Sequence, residues 1–160
     1  MQGKYKVITL CGSTKFRDEF FAEQKRLTLE GNIVISVGLF GHSGDIEVWE
    51  NMDENTITKT KEMLDDMHKR KIDMADEIFV IDKNGYIGNS TKSEIEYAIN
   101  LKKPVKFMEP LICQSCGMPI TKVDDIALDT DGKHNFDYCQ YCMKDGKFID
   151  DVDMNTYIEM

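Results

Sequence analysis

The chain has 160 residues and is 41% hydrophobic, enough for one ordinary globular domain and a small appendage. Its formal net charge is −9, and residues 111–160 hold ten Asp/Glu against four Lys, a balance that argues against binding polymeric nucleic acid, which needs clustered Lys and Arg. No apolar run approaches a membrane span and the N-terminus lacks a signal-peptide apolar region, so the expectation is a cytoplasmic protein with no membrane partner.

Lys4 to Cys11, with Val7, Ile8, Leu10 and Cys11, reads as the first strand. Gly12-Ser13-Thr14 ends it, and a helix follows with Phe16, Phe20 and Leu27 on one side and Ser13 or Thr14 as its expected N-cap. A strand running into a Gly-Ser turn and a helix N-terminus is a ready anion site, because free N–H groups point outward and the helix dipole favours negative charge. The same turn also occurs simply as a turn. Lys15 and Arg17 stand where they can assist an anion or remain solvated.

Ile33–Val37 is the expected second strand. Gly38 to Glu54 is then a long loop with three glycines, His42 and the only tryptophan, Trp49, and such loops are often lids or binding segments. Trp49 is read as packing the loop onto its own domain rather than stacking on a ligand. Thr56 to Met74 reads as a long polar helix, and Ile78–Ile81 as a short buried strand. A glycine-containing loop, Asp82–Asn89, leads to a helix starting near Ser90 or Thr91, with Ile95, Ala98 and Leu101 as its inward side. Lys103–Phe107 is the fourth strand. This βαβαβαβ order predicts an α/β fold over residues 1–110, a Rossmann/flavodoxin-like doubly wound parallel sheet, followed by a separate module over 111–160.

Glu94 and Glu96 fall near the start of the third helix, beside the crevice at the carboxyl ends of the strands where such sheets bind ligands. Thr91-x-x-Glu94 and Ser93-x-x-Glu96 also fit capping boxes. The stretch Ala75–Ala98 resembles the nucleoside 2-deoxyribosyltransferase-like family, which includes deoxynucleotide N-hydrolases. An Ala75-Asp76 pair opens the strand, a glycine loop follows, and Glu94-Ile95-Glu96-Tyr97-Ala98 matches the family's Glu-[Leu/Ile]-Gly-Tyr-Ala segment except at Glu96. Cys11-Gly12-Ser13 is similar to the Cys-Gly-Ser that holds phosphate or sugar in the hydrolases. The resemblance covers about residues 5–108 and implies Glu94 as nucleophile. The candidate substrate contacts are Gly12, Ser13, Thr14, Lys15 and His42, with Gly88, Asn89 and Ser90. Many relatives carry an Asp eight residues before the Asp of the Ala-Asp pair, to assist the leaving base; here that place holds His68. His68 is either the acid, with an ordinary pKa near neutrality, or a buried packing residue. Asp65 lies about 60° from it around a helix and Asp66 about 200° away.

Cys113-Gln-Ser-Cys116 and Cys139-Gln-Tyr-Cys142 are two CxxC pairs. Each pair can put two thiolates on one metal, and together they make a closed four-cysteine Zn²⁺ site of structural kind, one ion per chain, with disulfides as the alternative. The segment resembles the zinc ribbons found fused to small bacterial enzymes. His134 is not needed as a ligand, and a short helix is expected over 151–160.

The function expected is cleavage or transfer of the N-glycosidic bond of a nucleoside or nucleotide, as a 2-deoxyribosyltransferase or N-hydrolase, without an organic cofactor. Resemblance further implies a homodimer or higher homo-oligomer. The alternative is a non-catalytic nucleotide sensor whose zinc ribbon docks a protein partner.

Overall fold

The computed structural model describes residues 3–148. The helix expected over 151–160 lies outside the described residues. The chain falls into two compact units that part between Glu109 and Pro110.

The first unit is a mixed α/β structure around a four-stranded sheet in the order β2-β1-β3-β4, with every pairing parallel. The strands are β1 (Val7–Gly12), β2 (Ile33–Ile35), β3 (Glu77–Ile81) and β4 (Val105–Phe107). Parallel neighbours need a crossover between them, and three helices supply it: α1 (Arg17–Leu29), α2 (Glu54–Asp73) and α3 (Asn89–Asn100). All five residues of β3 are buried, as the continuous apolar run requires of a central strand.

The period-two alternation of β1 decides what each face meets. Ile8 and Leu10 join Phe79 and Ile81 of β3 in one cluster with Phe16, and with Phe20 and Leu27 of α1. Thr9 and Cys11 face the other way, toward α2: the Thr9 hydroxyl donates to the Lys71 carbonyl at 2.9 Å, and the Cys11 sulfur lies 3.5 Å from His68 Nε2.

Polar anchors fix the elements lengthwise. The Asp76 carboxylate accepts from Val7 N at 2.8 Å, and Asp76 N donates back to the Val7 carbonyl at 2.8 Å, locking β1 beside β3. Lys103 Nζ donates to the carbonyls of Ile72 and Asp73, both at 2.8 Å, which neutralises the C-terminus of α2. Asp53 caps α2 by accepting from Thr56 N at 2.7 Å.

Three local expectations differ. α1 begins later than its cap candidates: its N-cap is Phe16, and Ser13 instead closes a turn by accepting Phe16 N on its carbonyl. α3 begins at Asn89 after Gly88, so Thr91 and Ser93 are interior residues and neither capping box forms. Leu101, taken as inward, stands 42% exposed just past the end of α3.

The second unit consists of hairpins. β5 (Leu111–Ile112) pairs with β6 (Pro119–Ile120), β7 (Ile126–Leu128) with β8 (His134–Cys139), and β9 (Met143–Lys144) with β10 (Lys147–Phe148), all antiparallel. The last hairpin turns on Asp145-Gly146, with φ of 52° and 77°, the paired positive values that a two-residue turn demands. No described helix of the chain is long and apolar enough to cross a membrane.

Candidate functional site

A cleft of about 600 Å³ opens in the first unit where the chain leaves β1, β2 and β3. Its walls are the turn Gly12–Thr14, residues 37–39 with Gly41, His42 and Trp49, one stripe of α2, and the loop from Tyr86 through Ser90 into α3. Gly12 has φ of +150°, and a Cβ there would come within 2.7 Å of the Ile81 carbonyl oxygen. Only glycine lets β1 turn out over β3 at this point.

The long loop after β2 is pinned onto that turn. Thr14 and His42 share a hydrogen bond through Oγ1 and Nδ1, and the Ser43 hydroxyl donates to the Thr14 carbonyl at 2.6 Å. Trp49 Nε1 donates to the Gly41 carbonyl at 3.0 Å, so the tryptophan does pack its own loop, while its ring also lines the cleft.

Glu94 sits in the second turn of α3, is 9% exposed, and reaches the cleft floor. His68 Nε2 lies 3.9 Å from its Oε2. Cys11 completes the group: its sulfur, the His68 nitrogen and a Glu94 oxygen all lie within 4.8 Å of one another. Burial, reinforced by the nearby Asp65 carboxylate, raises the Glu94 pKa to about 8. Burial, reinforced by the Lys71 ammonium, lowers His68 to about 4. Burial likewise pushes the Cys11 thiol well above its ordinary range. At neutral pH the pair therefore carries one proton, and it resides on Glu94.

Of the residues singled out in the sequence, Gly12, Ser13, Thr14, His42, His68, Gly88, Asn89, Ser90 and Glu94 all line this cleft. Lys15 is off the wall: its ammonium lies over the Tyr86 ring, 3.4 Å from the centroid, and Tyr86 is the lining residue. Arg17 is also off the wall, its guanidinium over Phe21 at 5.4 Å. Asp66 is turned away toward Arg70, whereas Asp65 faces in. Glu96 is half-buried and does not line the cleft. Sequence reasoning missed Lys61, Leu64 and Lys71, although with Asp65 and His68 they recur every three or four residues, the signature of one helical stripe. It placed Cys11 in the Cys-Gly-Ser turn motif but did not bring it together with His68 and Glu94.

In the second unit the sulfurs of Cys113, Cys116, Cys139 and Cys142 all lie within 4.8 Å of one another, and none forms a disulfide. Each knuckle is a closed turn, with Gly117 N donating to the Cys113 carbonyl at 2.9 Å and Cys142 N to the Cys139 carbonyl at 3.1 Å. Gly117 takes φ of +74°, a value that glycine reaches without strain and that lets the chain turn around the first knuckle. Cys116 Sγ and Cys139 Sγ are 3.8 Å apart. A tetrahedron with Zn–S bonds of about 2.3 Å has edges of about 3.8 Å, so the four thiols fit one zinc ion. Residues 112–160 match the family model described as "Putative zinc ribbon domain". The ribbon has a small core of its own, in which Leu111, Ile120, Ile126, Ala127, Phe136 and Met143 are buried. His134 stacks on Phe136 rather than joining the sulfurs. No curated protein matches the sequence.

Proposed function

We propose that the first unit breaks, or transfers across, the N-glycosidic bond of a nucleoside or nucleotide, with Glu94 as nucleophile. The observation that carries this reading is a buried carboxyl at the floor of a nucleoside-sized cleft, 3.9 Å from a neutral imidazole. The resemblance to the nucleoside 2-deoxyribosyltransferase-like family points to the same glutamate. The strand order β2-β1-β3-β4 also supports a Rossmann/flavodoxin-like assignment, being the flavodoxin order without its fifth strand.

The proton balance defines the mechanism. Glu94 passes its proton to His68 Nε2, and the freed carboxylate attacks the anomeric carbon as the C–N bond breaks. His68 gives that proton to the departing base. Water, or a second base, then opens the glycosyl ester and restores Glu94. The initial transfer costs about 5 kcal/mol on the pKa gap, which is affordable within an enzymatic barrier. Tyr86 and the Gly88–Ser90 loop embrace the sugar, and the Gly12–Thr14 turn bounds the same cleft. The ribbon holds one structural zinc, since four thiolates leave no position for substrate.

A free-base release screen over nucleosides and nucleotides, run with wild type and Glu94→Gln, tests the reading. Base release by the wild type and none by the variant is the expected result. Nucleotide binding without release in the wild type would turn the reading into that of a sensor, with the ribbon as its protein-docking module.

A further inference from the structure

We propose that Cys11, His68 and Glu94 form a second zinc site, distinct from the ribbon, with three protein ligands and a fourth position open to the cleft. The three donors come from separate elements, the end of β1, the inward stripe of α2 and the second turn of α3, so the fold itself brings them together. Thiolate sulfur, imidazole nitrogen and carboxylate oxygen are the three ligand types zinc accepts. With Zn–S and Zn–N bonds of about 2.3 and 2.0–2.1 Å, a tetrahedral S···N edge is about 3.5–3.6 Å. Cys11 Sγ and His68 Nε2 stand 3.5 Å apart. The His68–Glu94 separation of 3.9 Å exceeds the corresponding N···O edge of about 3.4 Å by an amount a small carboxylate rotation removes.

The surroundings favour an ion. One thiolate and one carboxylate cancel the two charges of Zn²⁺, so the occupied group is neutral in a buried place. On binding, the thiol and the carboxylic acid each release a proton to solvent. The Lys71 ammonium on the same wall is engaged by the Ser36 carbonyl at 3.1 Å, and Asp65 adds a carboxylate there. His68 and Glu94 both line the cleft, so the open vertex faces solvent and ligand. If the glycosidic reading above is right, which this consequence alone depends on, zinc here takes up the nucleophile and inhibits base release.

The test uses the full chain carrying Cys113→Ser, Cys116→Ser, Cys139→Ser and Cys142→Ser, which removes every thiol of the ribbon, titrated with Co²⁺ and then Zn²⁺. One cobalt should bind with a near-ultraviolet band of a single thiolate, and one zinc should displace it. Adding Cys11→Ser should abolish the band. His68→Gln should weaken cobalt binding by about tenfold or more. The melting transition of the first unit checks folding in each case, and should Cys11→Ser fail to fold, His68→Gln decides. Two zinc ions per wild-type chain against one in the ribbon variant agrees with the proposal. A folded ribbon variant that binds no cobalt, or binds it equally without Cys11 or His68, overturns it. Reversible zinc inhibition of base release is read separately, so a chain that cleaves no nucleoside leaves the metal result standing.

Discussion

At the scale of single residues, the pH dependence of the proposed reaction follows from the Glu94–His68 pair. The reaction proposed needs the pair to hold one proton, which it does between about 4, where His68 protonates, and about 8, where Glu94 ionises. With no zinc in the cleft, kcat/KM should trace a bell with limbs near those values. A profile that instead rises through pH 8 to a plateau would show that the proton on Glu94 plays no part. Glu94→Gln should abolish base release, and Glu96→Gln, off the cleft, should change it little. Stability moves with pH in a defined sense. Because the folded pKa of Glu94 lies above its ordinary 4.5, its contribution is whole below pH 4.5 and is lost as pH rises through 8. Glu94→Gln, which stays neutral, should therefore melt higher than wild type at pH 8.5, by on the order of 1–3 kcal/mol after relaxation of the site, and match it near pH 4.5. Glu94 was legible in the sequence through a local pattern of five residues. Cys11 was not, because its partner His68 is 57 positions away and only the β1–α2 packing joins them.

At the scale of elements, the four strands and three helices of the first unit were legible from apolar runs and turn residues, but their ends were not, and the short strands of the second unit left no such pattern. Ser13 and Thr14 looked like caps, yet Thr14 is tied to the loop after β2 and α1 starts beyond it. A tertiary contact thus overrides a local preference. The same turn yields a prediction. Gly12→Ala places a methyl 2.7 Å from the Ile81 carbonyl oxygen at a backbone angle that L-residues resist. The variant should lose ~1–3 kcal/mol and should open the β1–β3 junction at the cleft floor. Denaturant unfolding measures the first effect and the KM for a cleaved substrate the second. A variant with wild-type stability would mean that the strand end shifts without cost. Gly41→Ala should do comparable harm by another route, since its Cβ would meet Trp49 Nε1 at 2.6 Å and displace the indole from the cleft wall.

At the scale of the whole molecule, two further properties can be argued. Met63 and Met67 on α2, Met74 and Leu101 just past α2 and α3, and Phe21, Leu29, Ile33 and Ile46 elsewhere on the first unit are exposed apolar side chains. We propose a homodimer or higher homo-oligomer, which the sequence resemblance implies. Sedimentation should find a species of at least twice the 18.4 kDa chain mass, and a monomer at working concentration would refute it. The second property concerns metal. The division into an α/β body and an acidic ribbon was readable because CxxC spacing is a covalent constraint carried within a few residues, whereas the cleft depends on packing between distant segments. The two units also differ in what holds them. The α/β unit has the cluster of Ile8, Leu10, Phe20, Phe79 and Ile81, while the ribbon buries only a few apolar side chains over short hairpins. A zinc ion held by the four thiolates would supply most of the folding free energy of such a module. Starting from protein with one zinc per chain, chelation should therefore abolish the amide-exchange protection of residues 111–148 and leave that of β1 and β3 intact. Zinc should restore it, magnesium should not, and Cys113→Ser should reproduce the chelated state. A ribbon that stays protected after its zinc is gone would mean that its apolar contacts suffice alone.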